Sequence, residues 1–123
     1  MCYTQSRFKA LLSACVLSLI ATTGWSQQPS LRWLGTLGGY WSYASDVSAD
    51  GSVVVGSALN AEGRWRAFRW TASGGMQALG TLGGSDSYAS DVSADGAVVV
   101  GWAQNAAGQG RAFRWTEIGR AHV

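Results

Sequence analysis

LGTLGGYWSYASDVSADGSVVVGSALNAEGRWRAFRWT at residues 34–71 returns as LGTLGGSDSYASDVSADGAVVVGWAQNAAGQGRAFRWT at residues 79–116. Leu79 follows its counterpart Leu34 by 45 residues, and eight of the 38 aligned positions differ, which leaves 30 identical. A fixed period of this length is typical of repeat proteins, in which each unit buries its apolar surface against its neighbours. Residues that recur in both units are therefore more often structural than catalytic.

One unit has the pattern of short strands joined by tight turns. Asp50 and Gly51 favour the first turn because both residue types tolerate the backbone conformations of hairpins. The run of valines that follows is typical of a strand buried on both faces. Phe68 and Trp70 alternate with smaller or charged neighbours, which places them on one face of a third strand. The predicted strands are 42–48, 52–56, 66–70 and 76–84.

Four short strands in 45 residues are the content of one β-propeller blade. We therefore predict an all-β fold, a repeat array of four-stranded antiparallel units that resemble propeller blades, with the array incomplete in this chain. A β-solenoid or an open β-meander is the alternative. Residues 27–33 are expected to form a linker and the start of a first blade strand, with 31–39 in the register of a preceding fourth strand. Repeat 1 spans 34–78 and a truncated repeat 2 spans 79–117, so further repeats of the same chain are expected.

The first 26 residues have the pattern of a Sec signal peptide. Arg7 and Lys9 precede an apolar run at 10–21, which is too short for a transmembrane span, and small residues favour cleavage after Ser26. A lipoprotein signal with Cys15 as the lipidated residue is the alternative. The chain is accordingly expected to be exported, to the cell surface, the periplasm or the extracellular space.

The last six residues depart from the repeat. Residues 118–123 (IGRAHV) resemble a translated sequencing adapter followed by a stop, so we expect a non-native tail, with a diverged terminal repeat as the alternative. His122, the single histidine, lies in this tail and is assigned no role.

The charge composition argues against nucleic acid as a partner. Without the signal peptide and the tail the chain has six arginines, no lysine and seven carboxylates. A nearly neutral chain without a basic cluster does not favour nucleic-acid binding. No transmembrane span is expected in it, and a glycan or a protein remains the possible ligand.

The repeated strings resemble the HAF-repeat family of probable extracellular bacterial proteins. The resemblance is carried by SDVSADGSVVVG, GGMQALGTLGG and the Ala-Phe-Arg-Trp core at 67–70 and 112–115, with arginine at 66 and 111 where the family usually has histidine. It implies an exported surface or extracellular protein and assigns no catalytic residue. Some members carry such repeats ahead of an outer-membrane barrel.

Candidate sites are few. A D-x-S-x-D-G string resembles the opening of a calcium loop, but the later ligand positions are apolar, so a strand–turn–strand is the favoured interpretation. No catalytic residue, cofactor or firm metal site is predicted. Asp46 is expected to pair with Arg66 or Arg69. The weak calcium candidates are Asp46, Ser48, Asp50, Asp91, Ser93 and Asp95.

Three tryptophans differ between the units and are the candidate ligand-binding residues: Trp41, Trp65 and Trp102. Trp70 and Trp115 recur and are expected to pack between units. We expect a non-catalytic structural, adhesive or binding scaffold. The alternative is a fragment of a propeller enzyme that acts on extracellular glycans through residues in other blades.

Overall fold

A computed structural model describes residues 28–117, and the regular elements within this range are β-strands. The strands lie in one compact unit that begins at Trp33. The predicted signal peptide at 1–26 and the predicted tail at 118–123 fall outside the described residues. In the described part, no helix is long and apolar enough to cross a bilayer. The strands are β1 (Gly38–Val47), β2 (Val53–Asn60), β3 (Trp65–Thr71), β4 (Gly75–Ala78), β5 (Gly83–Val92), β6 (Val98–Asn105) and β7 (Gly110–Thr116).

Two antiparallel sheets follow one another along the chain. The first sheet has the order β1-β2-β3-β4 and the second has the order β5-β6-β7. The two sheets share their register, including two irregularities in the first strand pair of each, between Gly38 and Ser42 and between Ala44 and Asp46 in the first sheet. The all-β prediction is therefore confirmed for the described residues.

Several predicted strand boundaries are wrong. β1 begins at Gly38, four residues before the predicted start, and β4 ends at Ala78 rather than continuing to residue 84. Residues 31–37 contain no strand, although Leu37 makes an isolated bridge to Asn60. The reason is local: Gly80 and Gly83 have φ of 93° and 107°, which interrupts the extended chain before the second sheet begins.

The first hairpin turn is longer than an Asp-Gly pair. Gly51 has a φ of 80°, as a turn glycine should, and its N–H donates to the carbonyl oxygen of Ser48. Asp50 closes the turn from its side chain, because its Oδ1 accepts hydrogen bonds from the Ser52 N–H and hydroxyl. The same arrangement recurs at Gly96, so the repeated string specifies a turn at both places.

The core lies where the two sheets pack face to face, a contact we call the junction. It consists of Val53, Val55 and Ala67 from the first sheet against Ala89 and Val99 from the second. β2 is the most buried strand, which confirms that its valine run is covered on both faces. On the outer face of the first sheet, a second cluster of Ala58, Phe68 and Trp70 is covered by Leu34, Leu37, Val54 and Met76.

Candidate functional site

Four aromatic rings, which we call the aromatic row, run from the first sheet to the second. Tyr43 lies 5.2 Å from Trp65, Trp65 lies 6.0 Å from Tyr88, and Tyr88 stacks on Trp102 at 4.7 Å between ring centroids. Rings at these separations attract one another beyond their shared burial. Trp65 therefore joins the two sheets, and Trp102 occupies one end of the row.

Two of the three tryptophans that differ between the units lie in the aromatic row. Trp65 lies on β3, where the second unit has Gly110, and Trp102 lies on β6, where the first unit has Ser57. Each unit thus places one indole beside its tyrosine, from a different strand. Gly110 leaves the necessary space, since a Cβ there would lie 3.3 Å from the Trp102 ring.

Trp41 is separate from the row. It lies on β1 and is 67% exposed, and the neighbouring Tyr40 is exposed as well. The structure therefore brings together two of the three candidate ligand-binding residues and leaves the third at the surface.

Tyr43 and Tyr88 belong to the site although sequence reasoning did not single them out. Both stand at the same place in their units, and this recurrence was the available signal. Burial raises the pKa of the Tyr88 hydroxyl, and the nearby Asp86 carboxylate adds to the effect. Tyr88 is a partly buried ring between Trp65 and Trp102.

Polar side chains of the second unit complete the backbone hydrogen bonding of β3. The N–H groups of Trp65 and Ala67 lie beyond the end of the short strand β4. Trp65 donates to Asp86 Oδ1 at 3.0 Å, and Ala67 donates to Ser87 Oγ at 2.9 Å. Because a buried, unpaired N–H is costly, these two side chains help to hold the sheets together.

Further hydrogen bonds cross the junction at its other end. Val92 N–H donates to Asp46 Oδ2 at 3.0 Å, which lowers the pKa of Asp46. Arg69 Nε donates to the Gly96 carbonyl oxygen at 3.0 Å. The Arg69 guanidinium also lies 5.5 Å from the centre of the Trp115 ring, within the range of a cation–π contact.

The expected pairing of Asp46 with an arginine is wrong. Asp46 accepts from the Val92 backbone, whereas Arg69 forms an ion pair with Glu117 at 3.2 Å and Arg66 donates to the Ser85 carbonyl oxygen. Backbone groups of the second unit lie closer to these side chains than the side chains lie to one another. Sequence spacing alone could not reveal this, because the contact depends on how the sheets are stacked.

Most of the weak calcium candidates form hydrogen bonds within the turns or across the junction. Asp50 Oδ1 accepts from the Ser48 hydroxyl, and Asp95 Oδ1 accepts from the Ser93 hydroxyl and the Ala97 N–H. The bonds from the Ser52 N–H and hydroxyl, followed by that from Ser48, lower the pKa of Asp50, and the bonds from Ser93 and Ala97 lower that of Asp95. Asp91 is an exposed residue near the end of β5. Within residues 28–117, no group of three or more His, Cys, Asp or Glu side chains is placed to hold a metal ion.

Sequence differences between the units gather at one end of the sheets, which we call the rim. The rim holds the β2–β3 hairpin, the β6–β7 hairpin and the beginnings of β1 and β5, as the pairing of Gly38 with Asn60 shows. Seven of the eight differing positions lie there, and only Ser52 lies at the opposite end. The rim positions in the first unit are Tyr40, Trp41, Ser57, Leu59, Glu62, Arg64 and Trp65.

A shallow recess of about 130 Å³ lies beside the junction. Its apolar lining includes Leu79, Leu82, Ala103 and Phe113. In the first unit, the counterparts of the two leucines, Leu34 and Leu37, pack against the buried Ala58 and Phe68. The recess is therefore the less tightly packed counterpart of a core contact.

No protein-family model, curated protein or solved structure matches this chain.

Proposed function

We propose that this chain is a segment of a non-catalytic scaffold in an exported bacterial protein, built from HAF-like repeats that stack as propeller-like blades. The signal-peptide pattern at 1–26 supports export, and the repeated strings support the family. The cell surface or the extracellular space is the proposed location.

One observation carries the scaffold proposal. The inner face of the first sheet is covered by the second sheet, and the same residues on the second sheet face solvent. Val55 is 0% exposed, whereas its repeat counterpart Val100 is 39% exposed. Burial of one unit by the next is the principle by which repeat arrays gain stability, so the second sheet has the surface on which a further unit would stack.

A chain with a third unit tests the stacking. A second copy of residues 72–116 placed after Thr116 is expected to give one cooperative urea transition at a higher midpoint, with the Trp102 fluorescence shielded from a soluble quencher. A control carries arginine at the third unit's counterpart of Ala89, which is a buried junction residue. In the arginine control, the third unit is expected to lose the shared transition. A third unit of unchanged sequence that unfolds in a transition of its own would contradict stacking.

Export is tested separately. The full chain is expressed in a bacterium with a Sec pathway, and the mass of the exported product is measured. The expected product begins at Gln27. An uncleaved chain that stays in the cytoplasm would contradict the export proposal while leaving the stacking intact.

Ligand binding at the rim is a second candidate function, favoured by the exposed aromatic pair Tyr40 and Trp41. Flat aromatic faces at a surface can stack on a sugar ring or on a peptide side chain. Titration with chitohexaose and cellohexaose, followed by tryptophan fluorescence, is expected to give saturation that Trp41→Ala abolishes. Trp33→Ala is the control, because Trp33 is exposed but precedes the first strand. Equal loss in both variants would count against the rim.

A further inference from the structure

The second sheet has an outward face that repeats the residues of the junction. Ala112 and Arg114 of β7 correspond to Ala67 and Arg69 of β3, so the residue type is the same at both pairs of positions. Ala67 is 0% exposed and Arg69 is 8% exposed, whereas both counterparts are exposed. Val100 and Trp102 extend this face toward the rim.

The complementary surface is exposed on the first sheet of the same molecule. β5 covers the first sheet through Ser85, Asp86, Ala89 and Val92, and their counterparts on β1 are Tyr40, Trp41, Ala44 and Val47. These four β1 residues are all exposed. A single chain therefore exposes the outward face of its second sheet and the β1 part of the complementary surface, whereas Ser42 and Val54, the counterparts of the buried Ser87 and Val99, are half-buried.

We propose that the outward face of the second sheet binds the β1 edge of the first sheet in a second copy of this chain, head to tail. This inference rests on the stacking proposed above and adds the partner: a copy of the chain itself.

Side-chain size at the rim favours a second copy as the partner. At the junction, the backbone N–H of Trp65 donates to Asp86 Oδ1, so position 65 lies opposite position 86, with the large residue on the first sheet and the small one on the second. At a contact between copies, the corresponding positions are Gly110 and Trp41, so the glycine faces the indole. The large and the small residue of this pair have exchanged sides, so the pair contains one indole in either contact.

Three polar contacts of the junction are preserved as well, whereas the Asp86 carboxylate that accepts from the Trp65 N–H is replaced by Trp41. Arg66 and Arg69 donate to backbone carbonyl oxygens of the second unit, and Asp46 accepts from a backbone N–H. Their counterparts Arg111, Arg114 and Asp91 are unchanged in residue type. Backbone partners do not depend on side-chain identity, so the change from Ser85 to Tyr40 leaves the carbonyl acceptor in place.

Such a contact joins different surfaces of two identical molecules. Contacts of this type generate rings when the rotation closes and filaments when it does not. In either case, association increases with concentration and requires both the outward face and the β1 edge.

Sedimentation velocity on the full chain across a hundredfold range of concentration tests the inference. We expect a concentration-dependent increase in mass. The variant W102S/G110W gives the second unit the residues of the first, so that an indole faces Trp41, and its association is expected to weaken at least tenfold. The variant Y40S/W41D gives β1 the residues of β5 and is expected to weaken association by a similar factor.

The combination of all four substitutions is the decisive sample. It recreates the Trp65–Asp86 pair at the contact between copies and is expected to restore association. Glu62→Ala, in the β2–β3 turn away from both faces, is the control and should associate like the starting chain. Circular dichroism checks that each variant is folded.

Two results would overturn the inference. One is a monomer at every concentration, and the other is association that the combined variant fails to restore. If the three-unit chain nevertheless unfolds cooperatively, the stacking proposal stands and only the second copy as partner is lost. If the third unit also unfolds independently, both proposals are lost.

Discussion

Ser42 and Ser87 are the same residue in the two units, yet their environments differ. Ser87 is fully buried, and its hydroxyl oxygen accepts from the Ala67 N–H across the junction. The Ser42 hydroxyl donates to the carbonyl oxygen of Gly35 in a half-buried position. The residue type is set by the repeat, whereas its energetic contribution is set by the sheet that covers it.

Ser87→Ala is expected to lower the free energy of unfolding by about 1–3 kcal/mol, because it leaves a buried N–H without an acceptor. Ser42→Ala is the matched control and is expected to cost less than about 1 kcal/mol, since water can reach the group that it frees. Urea denaturation of both variants measures the difference. Equal losses would show that the bond across the junction adds nothing.

Asp46 makes the stability depend on pH. The bond from the Val92 N–H lowers its pKa below the ordinary value of 3.8. Because the pKa is depressed in the folded state, the stabilisation is present above pH 3.8 and is lost as the pH falls through the folded value.

Asp46→Asn is therefore expected to give a shallower fall of the unfolding free energy between pH 5 and pH 2.5. Asparagine stays neutral throughout and can still accept the hydrogen bond. Asp50 and Asp95 also have lowered pKa values, so part of the slope remains in the variant. Urea denaturation at steps of half a pH unit measures the slope, and an unchanged slope would contradict the assignment.

At the scale of the element, β1 and β2 approach closely where their pairing becomes irregular. Gly56 pairs with Ala44 next to the irregularity, and a Cβ at Gly56 would overlap the carbonyl oxygen of Tyr43. Gly101 stands in the same relation to Tyr88. The recurring glycine in the valine strand thus permits the close approach rather than forming a turn.

Gly56→Ala is expected to destabilise the protein by about 3 kcal/mol, because the backbone of β1 must move to admit the methyl group. Gly63→Ala is the control: it lies in a turn with a φ of 79° and has open space around it, so it should cost about 1 kcal/mol from backbone strain alone. Thermal unfolding measures both variants. A loss in Gly56→Ala no larger than in the control would show that β1 accommodates the methyl group.

At the scale of the whole molecule, the two units form the same strands but bury different surfaces. Val55 lies in the junction, whereas Val100 lies on the outward face. The same substitution at the two positions therefore separates strand formation from packing between units.

Val55→Ala is expected to cost about 2 kcal/mol through lost burial and a cavity. Val100→Ala is expected to cost less than about 1 kcal/mol in the monomer, because its side chain is already partly in water. Chemical denaturation at a low protein concentration measures both. Equal costs would indicate that the outward face is covered in solution.

Local patterns in the sequence determined much of the fold. The all-β class, the central valine strand, the turn at Gly51 and the two faces of the Phe68–Trp70 strand all depend on residues close in sequence, because they follow from β propensity, alternation and turn chemistry. Strand ends were harder to predict from the sequence. Positive φ values at Gly80 and Gly83 ended β4 early, and glycine is compatible with strand and turn alike.

The tertiary structure alone decided which identical residues are buried and which side chains meet. Asp46 binds the Val92 backbone rather than an arginine, and Trp65 and Trp102 enter one row with two tyrosines, because sheet stacking brings together groups from different units. A repeated sequence gives both units the same surface. Only the position of each unit in the stack determines whether that surface is covered by a neighbour or open to a partner.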